Sequence, residues 1–101
     1  MMQGDSYNLG FTVKNNAGAL VAPVDIQDMA ITIGYLTKTY RKVQLTYRDG
    51  KWLFPLSQRE TFGMRPMATK GEIAILWTDG TIERKPIYGI RVIESIYKGV
   101  L

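Results

Sequence analysis

The chain has 101 residues, of which 46% are hydrophobic and 22% charged, and 13 basic against 9 acidic side chains leave a formal charge of +4. That is the composition of one folded domain spanning residues 1–101; it excludes a disordered chain, and the charge excess is too mild to mark a nucleic-acid binder by itself. Cysteine and histidine are both absent, which removes disulfides, thiolate-bound zinc, the commonest general base and every Ser-His or Cys-His nucleophile pair.

The opening Met1-Met2-Gln3-Gly4-Asp5 lacks the basic stretch and apolar run of a signal peptide. No segment approaches the roughly 18 consecutive apolar residues of a membrane span, so no membrane role is expected. From there the dominant period is two, the mark of half-buried strands. Tyr7, Leu9, Phe11 and Val13 alternate with polar or small residues until Asn15-Asn16-Ala17-Gly18, where Asn and Gly suit a tight turn. A short extended piece at Leu20-Val21 precedes Pro23, which cannot donate to a central ladder.

A second alternating run places Met29, Ile31, Ile33 and Tyr35 on one face and Ala30, Thr32, Gly34 and Leu36 on the other. Val43, Leu45 and Tyr47 form the next run, and Asp49-Gly50 turns it into Trp52, Phe54 and Leu56. Asp-Gly between alternating strands predicts a two-residue hairpin, because a type I′ turn wants positive φ at both central residues. Ser57 and Glu60 stand at capping-box spacing and predict one or two helical turns stopped at Gly63, a connection between sheets.

The stretch Glu72–Thr78 is apolar on both faces, as an interior strand is, and a second Asp-Gly at Asp79-Gly80 leads to a strand opening at Ile82. Arg84-Lys85-Pro86 reads as an exposed edge. The β-branched stretch Ile87–Tyr97 closes the count, with Gly89 marking a bulge or bend. Strands at short spacing with almost no helix describe a sandwich or a small barrel, and the helical crossing after Leu56 favours the sandwich.

Catalytic chemistry is sparse. Neither a phosphate-binding glycine run nor a dinucleotide fingerprint is present. Asp25 and Asp28 lie in a Pro-containing stretch and Glu60 stands beside a turn, while Asp49 and Asp79 are explained by their hairpins. These carboxylates read as turn formers rather than a hydrolase dyad or a calcium site, so no enzyme, catalytic residue, metal ligand or cofactor is expected. The basic and aromatic cluster Lys38, Tyr40, Arg41 and Lys42 is the sharpest surface feature, expected between two strands. It suits a simple solvated loop or a charged protein interface, and an alternative is a free-standing module that holds carbohydrate or nucleic acid on this loop. Trp52 and Trp77 each stand in an apolar strand and read as core.

The segment Gly4-Asp5-Ser6-Tyr7-Asn8-Leu9, leading into Phe11-Thr12-Val13-Lys14 and then Asn16-Ala17-Gly18, resembles the opening of immunoglobulin-like domains in phage tail and baseplate proteins. The N-terminal domain of baseplate upper proteins is the best-known case, and Asp49–Leu56 and Thr78–Thr81 look similar to it as well. The chain as a whole resembles small single-domain proteins encoded among the structural genes of Firmicutes phages and prophages, which often close on a Lys-x-Val-Leu tail. Lys98-Gly99-Val100-Leu101 fills that place here.

The resemblance implies an all-β, immunoglobulin-like β-sandwich of about seven strands with one short helical turn. It further implies a non-catalytic structural or assembly protein of a virion or phage-like particle, assembled in the bacterial cytoplasm. Capsid decoration, connector, tail and baseplate remain open positions. Its partners would be other virion structural proteins and further copies of itself as a homo-oligomer, with nucleic acid not expected among them. In that reading Ile96, Tyr97, Val100 and Leu101 join the 38–42 cluster as the candidate interface.

Overall fold

The computed structural model describes residues 6–64 and 68–91. Among the described residues seven strands run in chain order: β1 (Tyr7–Phe11), β2 (Ile26–Ile33), β3 (Leu36–Thr39), β4 (Thr46–Arg48), β5 (Lys51–Leu56), β6 (Ala68–Trp77) and β7 (Ile82–Arg91). A 3-10 turn (Pro23–Asp25) precedes β2, and one short helix, α1 (Gln58–Phe62), joins β5 to β6. The strands form an antiparallel three-stranded sheet in the order β1-β5-β4 and an antiparallel four-stranded sheet in the order β3-β2-β6-β7. With β1 taken as strand B, these are the B-E-D and C′-C-F-G orders of the immunoglobulin sandwich.

Period-two alternation builds the core between the sheets. Met29, Ile31 and Ile33 from β2, Trp52, Phe54 and Leu56 from β5, and Ile73 and Ile75 from β6 are all buried. Tyr7, Leu9 and Phe11 of β1 are half-buried against them. Trp52 occupies the centre. Its indole N–H donates to the Val21 carbonyl at 2.9 Å, Tyr40 meets it edge-on at 5.2 Å, and Tyr47 tilts against it at 5.1 Å. Both tryptophans are therefore packed as core residues, Trp52 fully and Trp77 in part.

The two Asp-Gly turns fold differently. Asp49 (φ 51°) and Gly50 (φ 78°) make the expected I′-type two-residue hairpin, with Arg48 paired to Lys51. In the second turn only Gly80 has positive φ (90°). There the Gly80 N–H donates to the Trp77 carbonyl and the Trp77 N–H to the Thr81 carbonyl, the pattern of a three-residue loop closed by a glycine bulge. Asp79 serves this turn through its carboxylate, which accepts from both the amide and the hydroxyl of Thr81.

The α1 crossing follows its sequence signature. The Ser57 hydroxyl accepts from the Glu60 amide at 3.2 Å, and the Glu60 carboxylate accepts from the Ser57 amide at 2.8 Å. The segment carries the chain from the three-stranded to the four-stranded sheet, as expected. The bulge also falls where Gly89 predicts one: Thr69 pairs Ile90 but Gly71 pairs Ile87, so Tyr88 and Gly89 together oppose Lys70.

Three local expectations change. Leu36–Thr39 is a strand, β3, so the basic cluster begins on a sheet edge rather than in a loop. Tyr35 does not continue the buried face of β2; it lies in the turn that Gly34 (φ 61°) permits and is exposed. Val43 and Leu45 do not open a strand. Val43 sits at φ 60° with its side chain 88% exposed, in a loop closed by its own amide on the Tyr40 carbonyl and the Gln44 amide on the Thr39 carbonyl.

Candidate functional site

The four basic and aromatic residues of the 38–42 segment divide into two pairs. Lys38 is turned inward from β3. Its ammonium donates to the Pro55 carbonyl at 2.6 Å, pairs with Glu60 at 3.2 Å, and lies 5.3 Å from the centre of the Phe54 ring. It fastens β3 to β5 and α1, a framework role that its long aliphatic stem permits. Tyr40 is likewise committed, through its edge contact with Trp52. Arg41 and Lys42 are exposed. Their backbone is held down by the Arg41 amide on the Asp28 carboxylate at 2.9 Å and the Lys42 amide on the Thr39 hydroxyl at 3.4 Å.

The tip of this loop therefore presents two cations followed by Val43. A β-branched residue rarely adopts left-handed φ, because its Cβ substituents crowd the backbone, at a cost of about 1–2 kcal/mol. The backbone is held there by the Val43 amide on the Tyr40 carbonyl and the Gln44 amide on the Thr39 carbonyl, while the side chain points into solvent. Such outliers cluster at active sites, ligand clamps and switch regions.

A second surface gathers three connections at one end of the sandwich. The Asn15–Gly18 turn, the Asp49-Gly50 hairpin and the Thr78–Thr81 turn are neighbours there. Leu20 reaches over Gly50, and the Gln27 side-chain amide donates to the Thr78 carbonyl at 3.1 Å. An open depression of about 350 Å³ lies between Asn15, Ala17, Trp77, Asp79, Thr81 and Glu83. Val24 (85% exposed) and Ile82 (65% exposed) flank the same end. Comparison with protein families, with curated proteins and with solved structures finds no match.

The polar groups of this end are used internally. The Asn15 side-chain oxygen accepts from the amides of Ala17 and Ala19, and Glu83 pairs with Lys85 at 3.3 Å. The Thr81 hydroxyl and amide hold the Asp79 carboxyl below its ordinary value. Asp25 accepts a hydrogen bond from the Ala22 amide, and Asp28 from the amides of Met29 and Arg41. At Glu60 burial pushes the carboxyl upward, and the Ser57 amide, the Lys38 ammonium and the Ser57 hydroxyl together outweigh it, leaving its pKa lowered. These carboxylates are hydrogen-bond anchors in turns and caps. Among the described residues no group of three or more His, Cys, Asp or Glu is placed to hold a metal, and no helix is long and apolar enough to cross a membrane.

Of the candidate interface residues, Ile96, Tyr97, Val100 and Leu101 lie outside the described residues. Sequence reasoning missed Val43 and the loop end. For Val43, the signal was an apolar residue directly after two cations. The loop end had no local signal, since its turns are brought together only by the strand order.

Proposed function

We propose that the chain is a non-catalytic structural or assembly module that works through protein–protein contacts, in a phage or prophage particle. The observation that carries the contact reading is Val43, an exposed β-branched side chain in a left-handed conformation beside exposed Arg41 and Lys42. A conformation that costs stability and presents an apolar group to water makes physical sense when a partner covers it. The flanking cations give that partner an acidic or carbonyl-rich rim to match. The particle assignment draws its support from the sequence resemblance to immunoglobulin-like domains of phage tails and baseplates.

Two arms test the reading. Particles induced from the encoding bacterium and purified on a density gradient should contain the chain in a fixed copy number, counted by quantitative mass spectrometry. Particles without it would reject the assignment. The variant Val43→Asn, which suits left-handed φ, should be as stable as the parent or up to about 1 kcal/mol more stable. It should nevertheless compete poorly with the parent for incorporation. Equal incorporation would reject the 41–43 tip as a contact.

A further inference from the structure

Trp77 closes the core face of β6, and it stands where the core runs out. Ile73, Ile75 and Trp77 share that face by period two, the two isoleucines buried and the tryptophan only partly so. Glu83 pairs with Ile75 across the β6–β7 ladder, so its side chain stands on the same face. From the other layer, the chain beyond β1 turns at Asn15–Gly18, anchored by the bridge between Lys14 and Leu20. The Lys85 ammonium ties the two layers together, 2.6 Å from the Lys14 carbonyl. The open depression between them is bordered by an indole, the carboxamides of Asn15 and Asn16, the Thr81 hydroxyl, and the carboxylates of Asp79 and Glu83.

The internal bonds of this end engage one atom of each group and leave another. Asn15 accepts through Oδ1 from the amides of Ala17 and Ala19, and its side-chain N–H groups have no acceptor among the described residues. Both bonds from Thr81 reach Oδ1 of the exposed Asp79, and Lys85 stands against Oε2 of Glu83. The Asn16 side chain is exposed and makes no hydrogen bond with the described residues. The Trp77 indole N–H likewise has no acceptor there, unlike that of Trp52, and it is not buried. Donors and acceptors are thus fixed in place by the fold with hydrogen-bonding capacity left over. Binding through them costs little further ordering.

This mixture of groups selects a ligand class. Asp79 and Glu83 are the charged residues of the lining, so a phosphate or another anion is repelled. A cation would suit the carboxylates and the ring, but it would leave the indole and carboxamide N–H donors unused. A pyranose uses all of them. Each of its hydroxyls both donates and accepts, and its C–H face is an apolar plane that an aromatic ring can cover. At about 350 Å³ and open on one side, the depression fits one sugar unit rather than an enclosed chain.

We propose that this depression binds a single neutral pyranose unit. Trp77 supplies the stacking surface, Asn15, Asn16 and the indole N–H donate to ring substituents, and Asp79 and Glu83 accept from hydroxyls. The proposal goes beyond the protein-contact reading and does not depend on it, since the 41–43 tip plays no part in it.

The ¹⁵N-labelled full chain reports on the site directly, because its two tryptophans give two indole N–H resonances. The probes are the methyl glycosides of glucose, galactose, mannose and N-acetylglucosamine. At ordinary ligand efficiency a sugar of about twelve non-hydrogen atoms binds at roughly 2 mM, so titration to about 100 mM reaches saturation. At least one glycoside should move the Trp77 indole signal and the amides of Asn16, Ala17 and Thr81 saturably, with the Trp52 indole unmoved. Asn16→Ala and Glu83→Ala, which remove no core side chain, should each weaken that binding about fivefold at an unchanged urea midpoint. The absence of a saturable shift with all four glycosides, equal shifts at Trp52 and Trp77, or unchanged affinity in either variant would overturn the proposal. A response of the same resonances to tetramethylammonium chloride but not to the sugars would also overturn it, in favour of a cation site.

Discussion

Replacing Trp52 by phenylalanine probes whether the sandwich rests on the indole at its centre. Trp52 is fully buried, and its N–H is the donor to the buried Val21 carbonyl. Leaving that acceptor without the indole costs about 1–2 kcal/mol. A phenyl ring is smaller than an indole by about 40 Å³, which at the usual cavity coefficient adds about 1 kcal/mol. Weakened edge contacts with Tyr40 and Tyr47 add roughly 0.5 kcal/mol more. The expected loss is about 3 kcal/mol, a large share of the roughly 5–15 kcal/mol typical of a small domain. With a urea slope of about 1.2 kcal/mol/M, the unfolding midpoint should fall by about 2.5 M, followed by circular dichroism with Trp77 fluorescence as a second probe. A loss below about 1 kcal/mol at unchanged slope would refute the central role given to Trp52.

Two further outcomes separate framework from surface and follow the acid end of the pH range. Tyr40→Ala should destabilise by about 2–4 kcal/mol through its lost packing on Trp52, whereas the pair Arg41→Ser and Lys42→Ser should stay within about 0.5 kcal/mol. Equal effects in chemical denaturation would contradict the division of the 38–42 segment. Glu60 has a folded pKa below its ordinary 4.5, so the stability it contributes is present above that value and lost as pH falls through the lowered one. Between about pH 5 and about pH 3 the parent should therefore lose more stability than Glu60→Gln does. Parallel pH profiles for the two proteins would remove the Lys38–Glu60–Ser57 cluster from the account of acid sensitivity.

Where a single local rule governs a feature, the sequence reads correctly. Asp49-Gly50 announces its hairpin because few other pairs tolerate two positive φ values, and Ser57 with Glu60 announces α1 because both partners of the capping box lie within the segment. Met29, Ile31, Ile33, Ile73 and Ile75 are legible as core from period two alone. The second Asp-Gly looks the same in sequence, yet one more loop residue and the Thr81 hydroxyl lead to another turn. Strand β3 was hidden because its inward residue is Lys38, whose burial depends on Pro55 and Glu60, partners distant in sequence. Tyr40 gave no local sign that it would pack on Trp52. The division of the basic cluster is thus a tertiary outcome, as is the assembly of three turns at one end.

The order in which the sheets pair has a consequence for synthesis. Strand β1 must wait for β5, and β2, which holds Met29, Ile31 and Ile33, must wait for β6 before its second ladder closes. Neither sheet can be completed from a contiguous stretch of chain, since three connections pass from one sheet to the other. Such non-local pairing places folding on the millisecond-to-second scale. On a ribosome adding roughly 5–20 residues per second, the second ladder edge of β2 would stay unpaired for seconds until Trp77 has emerged. Slowing translation within the Glu72–Trp77 codons would lengthen that window, and the yield of soluble protein would register it.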